Sequence, residues 1–129
     1  MKKCIQTEKA PKAIGPYSQA VQIGSLLFIS GQIPLDPFTG LYNPSSAEEE
    51  ADLVLKNLGA ILTVAGLTYD DVVKTTIYIT NMNDFTAINE VYGTYFHANP
   101  PARACIEVRK LPKNCKVEIE AIAAFSHSE

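Results

Sequence analysis

From Ala47 to Ala65 the residues Ala51, Val54, Leu55, Leu58, Ile61, Leu62 and Ala65 recur every three or four positions, the period of a helix with one apolar stripe. Ser46, followed three residues later by Glu49, is a capping box for its start. Glu48, Glu49 and Glu50 fall at the positive end of the dipole, and Gly66 supplies a C-terminal stop. The pattern changes period at Val72–Thr80, where Val73, Thr75, Ile77 and Ile79 alternate with Lys74, Thr76, Tyr78 and Thr80, as in a half-buried strand. Asp84 is placed to cap a second helix carrying Phe85, Ile88, Val91, Tyr92, Tyr95 and Phe96 on one face, ended by Asn99-Pro100-Pro101.

Shorter runs complete the pattern. Ser18–Ile23 and Leu26–Ser30 flank Gly24-Ser25 as a hairpin, with a further strand at Lys2–Gln6. Pro34–Pro44, with three prolines and Gly40, reads as a loop, and strands at Arg103–Val108 and Lys116–Phe125 close the chain. The order predicts a single α+β domain over residues 1–129: a six-stranded mixed sheet with two helices on one face. Leu26–Ile29 and Ile119–Ala124 are apolar on both sides of the pleat, so the face without helices is expected to be covered by a neighbouring subunit in a closed symmetric oligomer.

Composition narrows the function. With 47% apolar and 19% charged residues among 129, the chain can bury a core. Its 11 Lys plus Arg against 14 Asp plus Glu, net −3, provide no positive excess for phosphates, so nucleic acid is not the expected partner. The basic amino terminus has no apolar stretch behind it and does not read as a signal peptide. Val54–Leu67 is interrupted by Lys56 and Asn57 and falls short of the roughly 18 apolar residues of a membrane span. Cys4, Cys105 and Cys115 suit reduced thiols and a cytoplasmic protein. Neither they nor His97 and His127 have metal-ligand spacing, and no GxGxxG or P-loop is present, so neither metal nor cofactor is expected.

Several residues could carry chemistry. Alternation puts Arg103, Cys105 and Glu107 opposite Ala104, Ile106 and Val108; with the apolar set toward the helices, Arg103 would face the intersubunit side. Its forked guanidinium can grip a carboxylate bidentately or close an ordinary salt bridge, and the residues alone favour the salt bridge. Glu118 and Glu120 share one face of the last strand, where one could pair with Arg103 or position a water. Cys105 has no local histidine to activate it and reads as a filler. Tyr17 after Gly15-Pro16 and Ser30 before Gly31 read as turn residues.

Taken together, AIGPYSQA (Ala13–Ala20), ISGQIP (Ile29–Pro34), VVKTTIYI (Val72–Ile79), NDFTAINEVY (Asn83–Tyr92), PPARACIEV (Pro100–Val108) and LPKNCKVEIEAIA (Leu111–Ala123) resemble the RidA family, also called YjgF or the liver perchloric-acid-soluble protein family. The resemblance implies a chorismate-mutase-like α+β fold and a homotrimer with an inner barrel of sheets, outer helices and three intersubunit clefts. It implies a 2-iminobutanoate/2-iminopropanoate deaminase, hydrolysing the enamine/imine products of pyridoxal phosphate enzymes to 2-keto acids and ammonia without a cofactor. On this resemblance Arg103 takes the carboxylate-binding position and Glu118 orients the attacking water. The backbone around Gly31 and Cys105 receives the imine nitrogen, while Tyr17 and Ser30 shape the pocket and Asn89 comes from an adjacent subunit. The family also has members described as translation inhibitors acting as endoribonucleases, and others as chaperones or ligand-binding regulators. An endoribonuclease and a non-catalytic metabolite-binding trimer therefore stand as alternatives.

Overall fold

The computed structural model describes residues 1–126. Its strands β1 (Lys3–Ile5), β2 (Ala20–Ile23), β3 (Leu26–Gln32), β4 (Val72–Ile79), β5 (Ala102–Glu107) and β6 (Val117–Ala124) form one sheet in the order β1-β2-β3-β6-β4-β5. The last strand thus lies between β3 and β4, antiparallel to both. Only β4 and β5 run parallel, the crossover between them being helix α2 (Phe85–Tyr95). The expected six-stranded mixed sheet with two helices is therefore present.

Helix α1 (Ala47–Val64) starts as expected: the Ser46 hydroxyl accepts from the Glu49 amide while the Glu49 carboxylate accepts from the Ser46 amide. Its stripe of Val54, Leu55, Leu58, Ile61 and Leu62 is wholly buried against Leu27, Ile77, Ile79, Val117 and Ile119 of the sheet. Two polar residues on the helix are also buried. Asn57 donates through Nδ2 to the carbonyls of Ile33 and Leu35, holding the proline-rich loop down. The Glu50 carboxylate accepts from the Tyr42 hydroxyl at 2.6 Å and the Lys116 amide at 2.8 Å, joining that loop to the start of β6.

Three local expectations need correction. A bulge between Val72 and Lys74 shifts the register of β4, so Val72 is buried and Val73 points outward. Asp84 stands at the N-cap of α2 without a side-chain bond, and the nearby capping interaction belongs to Asn81, whose side chain accepts from the Asn83 amide. The largest concerns β5. Its parallel register sets Arg103 beside Thr75 and Cys105 beside Ile77, both buried on the helix-covered side, so Arg103 and Cys105 face the helices while Ile106 points away. Alternation along β5 is as expected, but its polarity is reversed: β5 is an edge strand, and α2 there presents a ring-lined flank rather than a closed aliphatic surface.

The opposite sheet face is open. Phe28, with Ile122 as its cross-strand neighbour, is 42% exposed, and Leu26, Val73 and Ile106 are exposed with it. No helix among the described residues is long and apolar enough to cross a membrane.

Candidate active site

Helix α2 builds the first half of the site. Phe85, Asn89 and Tyr92, spaced four and three residues apart, share one helix face, and Arg103 reaches across to it from β5. Its guanidinium carbon lies 5.0 Å from the Tyr92 ring centroid and 5.6 Å from that of Phe85, within the range of attraction between a cation and an aromatic face. Nη1 donates to Oδ1 of Asn89 at 2.6 Å. Both acidic candidates project from the other side of the sheet, so the ion pair between Arg103 and Glu118 or Glu120 does not form within the chain. Among the described residues, the ion pairs are Lys56–Asp52 and Lys116–Glu50. Among the described residues Arg103 therefore has no carboxylate partner, and with Phe96, Pro100 and Pro101 it lines a cavity of about 320 Å³.

Cys105, next but one along β5, is half-buried; burial pushes its thiol pKa up, and Arg103 offsets this only in part. A protonated thiol is a poor nucleophile.

The second half lies on the open face. The β3–β6 ladder is interrupted between Ile29 and Gln32, which lifts Ser30 and Gly31 out of register. A break of this kind re-aims backbone and side chains and is common beside active sites. Ser30 secures the adjoining segment, its hydroxyl donating to the Ser18 carbonyl at 2.6 Å and its amide to the Gln19 carbonyl at 2.9 Å. Gln19 is buried in turn and bonds to the backbone of Thr7, Ala10 and Pro11. This frame carries Tyr17, 53% exposed, to the rim of a cavity of about 410 Å³ that Ser30, Lys74 and Glu120 also line.

Glu118 lies across Gly31. A Cβ on Gly31 would overlap Oε2 of Glu118 and stand 2.9 Å from its Cδ, so the carboxylate occupies the space a side chain would need. Burial, and secondarily the charge of Glu120, raise the Glu118 pKa above the ordinary carboxylate value. Tyr78, cross-strand from Glu118, is likewise raised by burial and by Glu120.

The structure thus brings Arg103, Asn89 and Cys105 together on one side of the sheet, and Tyr17, Ser30, Gly31 and Glu118 on the other. Asn89, expected from an adjacent subunit, meets Arg103 within the same chain. The roles of Phe85 and Tyr92 were missed because their helical spacing reads equally well as core. The Glu118–Gly31 contact was missed because a bulge leaves no mark in an alternating sequence. Among the described residues no three His, Cys, Asp or Glu side chains converge to hold a metal ion, and His127 lies outside those residues.

Comparison with known proteins extends this geometry. The family model described as Endoribonuclease L-PSP matches residues 7–125. A mouse protein named 2-iminobutanoate/2-iminopropanoate deaminase is 54% identical over 123 residues, covering 95% of this chain and 91% of its own. A crystal structure from Thermotoga maritima superposes with a TM-score of 0.95 at 50% identity, covering 98% of this chain and 100% of the other. The crystal structure of Escherichia coli TdcF with bound serine superposes with a TM-score of 0.92, also at 50% identity, covering 96% and 99% of the two chains.

Proposed function

The chain belongs to the endoribonuclease L-PSP family, also called the RidA or YjgF family, and on that footing we propose that it is a 2-iminobutanoate/2-iminopropanoate deaminase. It is a hydrolase that converts reactive 2-imino acids, released by pyridoxal phosphate enzymes, to 2-keto acids and ammonia. The observation that carries this reading is the state of Arg103. An arginine lying over two rings of one helix face, with a neutral amide as its hydrogen-bond partner, is an unspent cation shaped for a carboxylate.

The chemistry is mainly positioning. A protonated imine is already electrophilic at carbon, so the site must hold the carboxylate, orient the C=N group and deliver one water. Water adds to the imine carbon, the C–N bond of the resulting carbinolamine breaks, and ammonia leaves as the carbonyl forms. Arg103 grips the carboxylate. Glu118, with its pKa raised by burial and by Glu120, orients the attacking water and can take its proton. The backbone at Gly31 and Cys105 receives the imine nitrogen, and Tyr17 and Ser30 shape the pocket.

Because the two halves lie on opposite faces of one sheet, a single chain cannot close both on one small substrate. The reading therefore includes a homotrimer in which the open face of one subunit meets the β5 edge of the next, forming three clefts. The exposed Phe28, Leu26, Val73 and Ile106 support such an assembly, since apolar side chains of this size gain from burial. The free cysteines suit a reducing cytoplasm.

Ribonuclease action would set a general acid and base beside a positive groove; here the Arg103 side is aromatic and the open face carries Glu118 and Glu120. The deciding experiment couples the protein to a serine/threonine dehydratase and follows imine decay. Faster decay with the protein than without it is expected, and an unchanged rate overturns the reading.

A further inference from the structure

Thr75 is a polar residue at 0% exposure in the middle of β4, among Ile77, Ile79, Ile119 and Ala121. A hydroxyl in such a place is costly unless it is bonded. Its Oγ1 lies 2.7 Å from the hydroxyl of Tyr92, itself only 4% exposed. The β4–β5 register makes Thr75 the direct neighbour of Arg103 on the same sheet face. Tyr92 is thus tied by its hydroxyl to the strand position beside Arg103, while its ring lies 5.0 Å from the guanidinium carbon. Phe96 packs on the same ring, centroid to centroid 4.6 Å. A phenylalanine at 92 with a valine at 75 would fill nearly the same volume without burying two polar atoms, so packing alone does not call for the pair.

We propose that the Thr75–Tyr92 hydrogen bond is a positioning device: it fixes the Tyr92 ring, and the ring together with Asn89 sets the plane in which Arg103 presents its two parallel N–H donors to the substrate carboxylate. The role rests on the deaminase reading for its substrate, but the carboxylate grip can be measured separately. A guanidinium free to rotate about its stem keeps its charge and loses its bidentate geometry. Asn89 holds one nitrogen, and the tethered ring limits tilt about that bond. A phenol is protonated at neutral pH, and burial moves the Tyr92 pKa further up against the smaller lowering effects of the Thr75 bond and the Arg103 charge.

The test is the double variant Thr75→Val/Tyr92→Phe, which removes both polar atoms together and leaves neither unpaired. Its melting temperature should stay within a few degrees of the parent. Its kcat/KM for imine hydrolysis and its affinity for 2-oxobutanoate, measured by calorimetry, should each fall roughly five- to thirty-fold. The same pair of changes introduced into Arg103→Lys protein should cost less than about two-fold, because an ammonium has no plane to orient. Thr75→Ser with Tyr92 retained should recover most of the loss, and if the double variant fails to fold, Tyr92→Phe alone against the Arg103→Lys background gives the same comparison. Equal losses in the arginine and lysine backgrounds, or parental turnover and affinity in the double variant, overturn the positioning role while leaving the deaminase reading standing. Parent protein that binds 2-oxobutanoate but hydrolyses no imine overturns the deaminase reading alone, and the affinity arm still decides the positioning role. Parent protein that neither hydrolyses imines nor binds the keto acid overturns both.

Discussion

The Asn89 side chain accepts a hydrogen bond from Arg103 at 2.6 Å, and because an amide carries no charge the guanidinium is oriented without being neutralised. An aspartate at the same position would differ by one atom and reverse that outcome. Asn89→Asp is expected to fold and to place an internal carboxylate where it competes with substrate, lowering kcat/KM by at least roughly ten-fold, chiefly through KM. Arg103→Ala should be more severe: Arg103 is exposed in the single chain, but once a neighbouring subunit closes the cleft over bound substrate, losing one partner of that shielded charge pair costs about 2–5 kcal/mol, or roughly thirty-fold to several thousand-fold in kcat/KM. Arg103→Lys should recover part of it. Imine hydrolysis and thermal unfolding on the same preparations check both, and full activity in folded Arg103→Ala removes the assignment.

Assembly is tested by mass. Static light scattering at micromolar concentration should report three times the mass of one chain, because the Arg103 and Glu118 halves need two copies to meet. A stable monomer with full imine turnover would show that one chain suffices.

Glu118 carries a pH signature. Its folded-state pKa is raised by burial and by Glu120, so the folded protein holds that proton to higher pH than the unfolded chain does. The stability of this group is then fully present below the unfolded carboxylate value and is lost as pH rises through the raised one. Glu118→Gln, which has no charge to desolvate, should melt higher than the parent at about pH 7, with the advantage vanishing toward about pH 4, while imine turnover falls. A melting difference independent of pH would detach the raised pKa from stability.

Much of the fold was legible because its signals are local. The Ser46–Glu49 box, the α1 stripe and the Gly24-Ser25 hairpin act within a few residues, and each stands where the sequence places it. The facing of β5 was not legible, because alternation shows that Arg103 and Ala104 point opposite ways but not which side the helices occupy. Parallel pairing to β4 decides that, and it depends on a neighbour some 28 positions earlier, Thr75 for Arg103. Glu50 was hidden for a related reason: three successive glutamates at a helix start look alike, and only the fold shows that the third is buried beneath Tyr42 and Lys116. The candidate site residues were recognisable as types and motifs, but their division between two sheet faces was not.

The thiols should separate by environment. Cys4 is exposed, whereas Cys105 is half-buried with its pKa pushed up, and burial with the nearby Glu50 charge takes Cys115 to about 12. Alkylation by iodoacetamide followed by mass spectrometry should label Cys4 first and Cys115 last. Cys105→Ser should keep most of the imine hydrolysis, since water rather than sulfur is the nucleophile. Near-complete loss, or substrate trapped on that sulfur, would show covalent chemistry.

Gly31 offers the cleanest separation of stability from chemistry. The atoms that a Cβ there would strike belong to the outer part of Glu118, with Cδ 2.9 Å and Cγ 3.2 Å from the added carbon, and a side chain that can turn away relieves such a clash more cheaply than backbone can. Gly31 has no positive φ, so an alanine brings no backbone strain of its own. Gly31→Ala should therefore fold with a melting temperature only a few degrees lower. The displaced Glu118 carboxylate can no longer orient the attacking water, so kcat should fall by roughly ten-fold or more while KM, set by Arg103 on the other half of the cleft, changes little. In a Glu118→Gln background the same alanine should add little further loss, because both changes act on one group. Parental kcat in Gly31→Ala would show that the position of Glu118 over Gly31 is incidental to turnover, and additive losses in the double variant would show that the alanine acts by more than displacing Glu118.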